Sequence, residues 1–101
     1  MPTIDEIRNL LRNEPGDVFL NYSLAMLQKK EGLDKEALVS FDRCIELDPD
    51  YIAAWFHKGM FLAGLGELEE AKIVLEAGIV RARESGDEHA LGEMSEFLAT
   101  L

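Results

Sequence analysis

The sequence contains little cysteine and no long apolar run. Cys44 is the only cysteine among 101 residues, so no internal disulfide can form, which agrees with a reducing compartment. No apolar stretch reaches the roughly 20 residues that a membrane-spanning helix needs. The first ten residues, MPTIDEIRNL, carry acids rather than a basic, apolar leader. We therefore expect a cytoplasmic protein that does not associate with membranes.

Basic residues are also scarce. Ten lysines and arginines stand against 20 aspartates and glutamates, which gives a formal net charge of −10. Phosphate contacts need a basic stripe, and none is present, so we expect no nucleic-acid binding. Many acids fall near predicted helix starts and several bases near helix ends, where the helix dipole favours them. Attraction of a basic partner is the alternative interpretation of the charge.

Motifs for catalysis or metal binding are missing. His57 and His89 are far apart and have no companions at metal-ligand spacing, so we predict no metal site. Ser40 lies one helical turn before Cys44, but no histidine is placed to activate either side chain. The sequence has no glycine-rich phosphate loop. We therefore expect no cofactor and no enzymatic activity, and we interpret Cys44 as a packed thiol.

The chain does contain an internal repeat with an offset of 34 residues. Small residues recur where two helices of a hairpin would cross, and glycines recur where a helix end needs a left-handed conformation. A proline follows the second helix and stops it. The pairs that share the offset are Pro15 and Pro49, Ala25 and Gly59, Gly32 and Gly66, Ala37 and Ala71, and Phe41 and Leu75.

These residues resemble the tetratricopeptide repeat, whose pattern of Trp, Leu-Gly, Gly, Ala, a large residue and a closing Pro has the same period. Trp55 opens the pattern in the second copy, where it would fill the space between two helices, and Leu24 precedes Ala25 in the first. Asn21 stands at the tryptophan position of the first copy. Arg83 replaces the second closing proline, which predicts a loose or long turn there.

The resemblance implies an all-α fold, a right-handed α-solenoid of antiparallel helix hairpins. Helical periodicity and capping residues predict six helices, with Thr3 and Glu6 as a capping box and Asp17, Asp34 and Asp87 at later helix starts. We divide the single domain into a leading half repeat (1–14), repeat one (18–51), repeat two (52–85) and a terminal capping helix (87–101).

The resemblance also implies a concave, partner-binding groove on the first helix of each repeat. About five large apolar side chains at about 100 Å² each would form a patch of roughly 500 Å², a size that indicates a binding surface. We therefore expect an interaction module for a peptide segment or helix of another protein. The predicted groove residues are Phe19, Tyr22, Met26 and Lys29 in the first repeat and Ala53, Phe56, Met60 and Ala63 in the second.

Two alternatives stay open for this patch. The last helix could fold over it and make it core, or a second copy of the chain could bind it and give a homo-oligomer. One subset of the family grips C-terminal carboxylates with a clamp of lysine and asparagine. The matching places here hold Tyr22, Met26 and His57, so we do not expect that clamp.

Overall fold

The computed structural model describes residues 2–101, and the prediction of an all-α fold is confirmed. The helices of this part of the chain are α1 (Ile4–Asn13), α2 (Val18–Lys30), α3 (Asp34–Leu47), α4 (Ile52–Gly64), α5 (Leu68–Ser85) and α6 (Glu88–Ala99). They form two compact units, one ending at Asp48 and the other comprising Pro49–Leu101. None of the helices described is long and apolar enough to cross a membrane.

The predicted capping box at the start of α1 is present. The Glu6 amide donates to Thr3 Oγ1 at 3.2 Å, and the Thr3 amide donates to Glu6 Oε1 at 3.1 Å. Asp17 caps α2 by accepting the amide of Leu20 at 2.9 Å. Asp87 caps α6 in the same way at 3.1 Å. These side chains satisfy amides that would otherwise lack a partner at the helix starts.

The predicted N-cap at Asp34 is wrong. Leu33 is the N-cap residue of α3 and makes no side-chain cap, while Asp34 is the first helical residue. The reason is the end of α2: Gly32 has a φ of 78°, and the Leu33 amide donates to the Gln28 carbonyl at 2.9 Å. This closing bond of a Schellman motif carries the chain into α3 without a polar cap. Asp34 still lies in the first turn, where the helix dipole favours an acid.

In the first unit, α2 and α3 pack as a hairpin and α1 packs against α2. Ala25 of α2 and Ala37 of α3 have no exposed surface, as expected for small residues between crossing helices. Phe41 is the largest fully buried side chain of the described residues. Ile7 is buried and fixes α1 to this core.

In the second unit, α4 and α5 form the hairpin and α6 packs against both. Gly59 lies so close to α5 that a Cβ atom there would be 2.6 Å from Cγ and Cδ2 of Leu75. A Cβ on Gly78 would lie 2.8 Å from Cβ of Trp55 and 2.9 Å from Sδ of Met94. Both glycines therefore permit helix contacts that a larger residue would prevent.

Asn21 and Trp55, which occupy the same repeat position, make the same kind of hydrogen bond. Trp55 Nε1 donates to the Pro49 carbonyl at 2.8 Å. Asn21 Nδ2 donates to the Pro15 carbonyl at 3.2 Å and also to the Asp17 carbonyl at 2.8 Å. In each repeat, the first helix is thus tied by a side-chain N–H to the proline that precedes it.

The loose turn predicted at Arg83 is also wrong. Without a proline, α5 continues through Arg83 to Ser85 and is 18 residues long, against 14 for α3. It ends at Gly86, whose φ is 78°, and the Asp87 amide donates to the Ala82 carbonyl at 2.9 Å. The connection to α6 is therefore short and hydrogen-bonded.

Candidate partner-binding surface

Four of the eight predicted groove residues lie along one hollow in the first unit. Phe19, Tyr22, Met26 and Lys29 all project from α2 into a space of about 730 Å³. Their spacing of three and four residues places them on one face of the helix. The Asp17 cap fixes where that helix begins and thereby the direction of this face. The remaining lining residues are Pro2, Ile7, Leu10, Leu20, Ser23, Leu27 and Lys30.

The opposite wall of this space, which we call the α1–α2 hollow, comes from α1. Ile7 is buried at its base, whereas Leu10 is 52% exposed. The sequence analysis did not assign either residue to the binding surface. The missing signal was the angle at which α1 packs on α2, which the sequence of α1 alone does not specify.

The lining combines exposed and anchored aromatic side chains. Phe19 is 63% exposed, although it is a large apolar residue. Tyr22 is half-buried, and its ring meets the buried ring of Phe41 edge to face, with centroids 6.4 Å apart. One side of the hollow is thus held rigidly by the core, while Phe19 offers uncovered apolar surface.

The charged lining residues of the hollow are lysines. Lys29 is half-buried and Lys30 is exposed, and both lie in the last turn of α2. Within residues 2–101, no aspartate or glutamate lines this space. This contrasts with the chain as a whole, in which acids outnumber bases by 20 to 10.

In the second unit, the predicted site residues Phe56 and Met60 are half-buried on α4. Phe56 packs against the buried core of this unit, and its ring centroid lies 6.4 Å from that of Phe97 on α6. It also borders two shallow spaces of about 300 and 320 Å³ beside α6. The sequence analysis left open whether the last helix covers the predicted groove residues. In the structure, Phe97 of α6 contacts Phe56 directly.

The sequence analysis considered Cys44, Ser40 and His89 for catalysis or metal binding. In the structure, Cys44 and Ser40 are buried and His89 is exposed. Cys44 is fully buried, and this burial raises the pKa of its thiol to about 12. Ser40 Oγ donates to Gln28 Oε1 at 2.6 Å between buried side chains. His89 Nε2 lies at the surface, 3.0 Å from Oε1 of Glu93. Within residues 2–101, no group of three His, Cys, Asp or Glu side chains could hold a metal ion.

Comparisons with known sequences agree with the repeat. Two family models, both described as tetratricopeptide repeat, match residues 20–51 and 40–73. The TPR repeat-containing protein PA0015 of Pseudomonas aeruginosa is 30% identical over 98 residues, covering 97% of this chain and 93% of that protein.

Solved structures show the same fold. A tetratricopeptide repeat domain protein from Salinibacter ruber superimposes with a TM-score of 0.81 at 31% identity, over 86% of this chain and 88% of that one. The TPR2B domain of yeast Sti1, solved in complex with pHsp70, gives a TM-score of 0.87 at 19% identity, over 95% and 77% of the two chains. Repeat spacing, helix hairpins and relatives lead to one conclusion. The chain belongs to the tetratricopeptide repeat family.

Proposed function

We propose that this protein is a binding module for another protein, and that the α1–α2 hollow receives a peptide segment or helix of that partner. The observation that carries the proposal is an apolar space of about 730 Å³ whose rim includes two large, mostly exposed side chains, Phe19 and Leu10. Exposed apolar surface gathered around one concavity is typical of binding sites rather than of ordinary surface.

The mechanism is burial rather than bond chemistry. Fully burying a leucine or phenylalanine side chain contributes about 1.5–3 kcal/mol. Phe19 and Leu10 are 63% and 52% exposed, so covering them would contribute roughly 1–2 kcal/mol each. Tyr22 is already fixed against Phe41, so less side-chain entropy is lost when a ligand contacts it.

Relatives support the class of function. The yeast Sti1 domain, which shares this fold, was solved bound to pHsp70. Tyr22 and Met26 occupy places where the carboxylate-gripping subset has clamp residues, so we propose a ligand held mainly by apolar contacts. Repeat domains of this family are typically non-catalytic, which agrees with a binding role.

The test is a peptide selection followed by matched variants. A random peptide library is selected against the protein, and the affinities of the enriched peptides are measured by fluorescence anisotropy. Phe19→Glu should weaken binding at least tenfold, because it places a charge at the rim of the hollow. Val39→Glu is the control, since Val39 on α3 is 68% exposed and does not line the hollow. Far-UV circular dichroism confirms that both variants keep their helices.

Several outcomes contradict the proposal. No enrichment of any peptide would refute it, as would equal affinity of the two variants, which would place binding elsewhere. Sedimentation velocity across a concentration series tests the homo-oligomer. Self-association that Phe19→Glu removes would replace the proposed partner with a second copy of the chain.

A further inference from the structure

The two ends of the α1–α2 hollow differ in chemistry, one being apolar and the other basic. Along one face of α2, the apolar residues Phe19, Tyr22 and Met26 are followed by Lys29 and Lys30 in the last turn. Met26 lies one helical turn before the lysines, so the apolar floor continues directly into a basic end. From Phe19 to Lys29 the helix rises about 15 Å, a distance that an extended peptide spans with about five residues.

Lysines near a helix end need not mean a ligand, because the helix dipole alone favours them there. Two further observations distinguish this end of α2. Both lysines line the hollow itself, and none of the described lining residues is acidic, although the chain has 20 acids. Lys29 is half-buried within the lining, and a lysine in such a place can cover apolar surface with its methylene groups while its ammonium stays in water.

Resting on the proposed function, we infer that the ligand is a partner segment in which large apolar side chains lie next to an aspartate or glutamate, in either chain direction. The apolar side chains cover Phe19, Tyr22 and Met26, and the side-chain carboxylate meets Lys29 and Lys30. The net charge of −10 does not forbid such a ligand. At physiological ionic strength charges beyond about 8 Å are largely screened, so the distant acids of the chain have little effect on a carboxylate beside Lys29.

The experiment uses the peptides selected against the full chain, synthesised with an acetylated N-terminus and an amidated C-terminus. Only side-chain carboxylates then remain to meet the lysines. Each peptide is compared with its Glu→Gln or Asp→Asn twin. We expect aspartate or glutamate to be enriched about five residues from a large apolar residue, on the same side of it in all selected peptides. We also expect the amide twins to bind about two- to fivefold more weakly per carboxylate, the range of partly exposed ion pairs.

The variants Lys29→Gln and Lys30→Gln should weaken binding of the acidic peptide by a similar factor and weaken binding of the amide twin less. This non-additivity in a double-mutant cycle is the signature of a direct pair. Lys72→Gln is the matched control, because Lys72 lies on α5, where it pairs with Glu69 at 3.8 Å and does not line the hollow.

The two proposals fail in different ways. Peptides that bind, that are sensitive to Phe19→Glu and that show no preference for acids would overturn the inference and leave the binding function intact. Enrichment of basic peptides would also overturn it, since the overall negative charge would then control selection. Binding that Phe19→Glu does not affect would overturn the proposed function itself.

Discussion

Gly59 is a position where this fold leaves no room for a methyl group. A Cβ atom at Gly59 would lie 2.6 Å from both Cγ and Cδ2 of Leu75 and 3.5 Å from Cδ1. Leu75 is fully buried in the core of the second unit, so it has little space to move away. Gly59→Ala therefore forces α4 and α5 apart or drives Leu75 out of its preferred rotamer.

Two opposing contributions decide the sign of the effect. Alanine is favoured over glycine in a helix interior by about 0.8–1.0 kcal/mol. An extra methyl group in a packed core costs about 1–3 kcal/mol, and so close a contact places Gly59 in the upper half of that range. We expect Gly59→Ala to lower the free energy of unfolding by about 1–2 kcal/mol. Gly92→Ala is the control: nothing lies within 4 Å of its Cβ position in α6, so we expect stabilisation by up to about 1 kcal/mol.

Urea denaturation followed by circular dichroism at 222 nm gives the free energies of unfolding by linear extrapolation. A Gly59→Ala variant as stable as Gly92→Ala would refute the reasoning. Leu75→Ala removes all three contacting atoms, so in that background Gly59→Ala should stabilise the chain instead. Additive effects of Gly59→Ala and Leu75→Ala would show that the contact is not the cause.

Three further predictions use the same assay. Phe56→Glu should lower the free energy of unfolding by roughly 2 kcal/mol, about half the cost of deleting a fully buried phenylalanine. Ile73→Glu is the control, because Ile73 is 67% exposed and its replacement should change the free energy of unfolding little. Equal effects of the two variants would contradict the packing of α6 against Phe56. Gly66 has a φ of 83°, so Gly66→Ala should cost about 1–2 kcal/mol, and Gly64→Ala, in ordinary helical geometry, should not. Burial raises the Cys44 pKa from 9.0 to about 12, so the folded chain keeps a proton that the unfolded chain loses above pH 9. Stability should then fall more steeply between pH 9 and 12 in the parent than in Cys44→Ala, and equal slopes would count against a buried thiol.

Local sequence signals predicted the helices well. Capping by Thr3, Asp17 and Asp87 involves neighbouring residues only, so it can be recognised in the sequence. The two wrong predictions, the N-cap at Asp34 and the loose turn at Arg83, both depend on how the preceding helix ends. The Schellman motif at Gly32 connects α2 to α3 through a backbone hydrogen bond, and α3 begins without a side-chain cap at Asp34. The absence of a proline at Arg83 lengthened a helix rather than loosening a turn, because Gly86 could end it one turn later.

The candidate site was predictable only where it depends on a single helix. The face of α2 that carries Phe19, Tyr22 and Met26 follows from helical periodicity together with the family resemblance. The wall formed by Leu10 depends on how α1 packs against α2, which involves contacts between separate segments. The contact of Phe56 with Phe97 depends in the same way on where α6 lies. Pairwise packing of this kind has no signature in a single sequence.

The shared hydrogen bond of Asn21 and Trp55 has a consequence for how such repeats are recognised and engineered. An amide and an indole differ in size and hydrophobicity, yet each supplies one N–H to the carbonyl of the preceding proline. Searches that score the tryptophan ring alone will therefore undervalue repeats like the first one. In designed repeats, asparagine could replace tryptophan at this position where a smaller side chain is needed between neighbouring helices, because the N–H donor is kept.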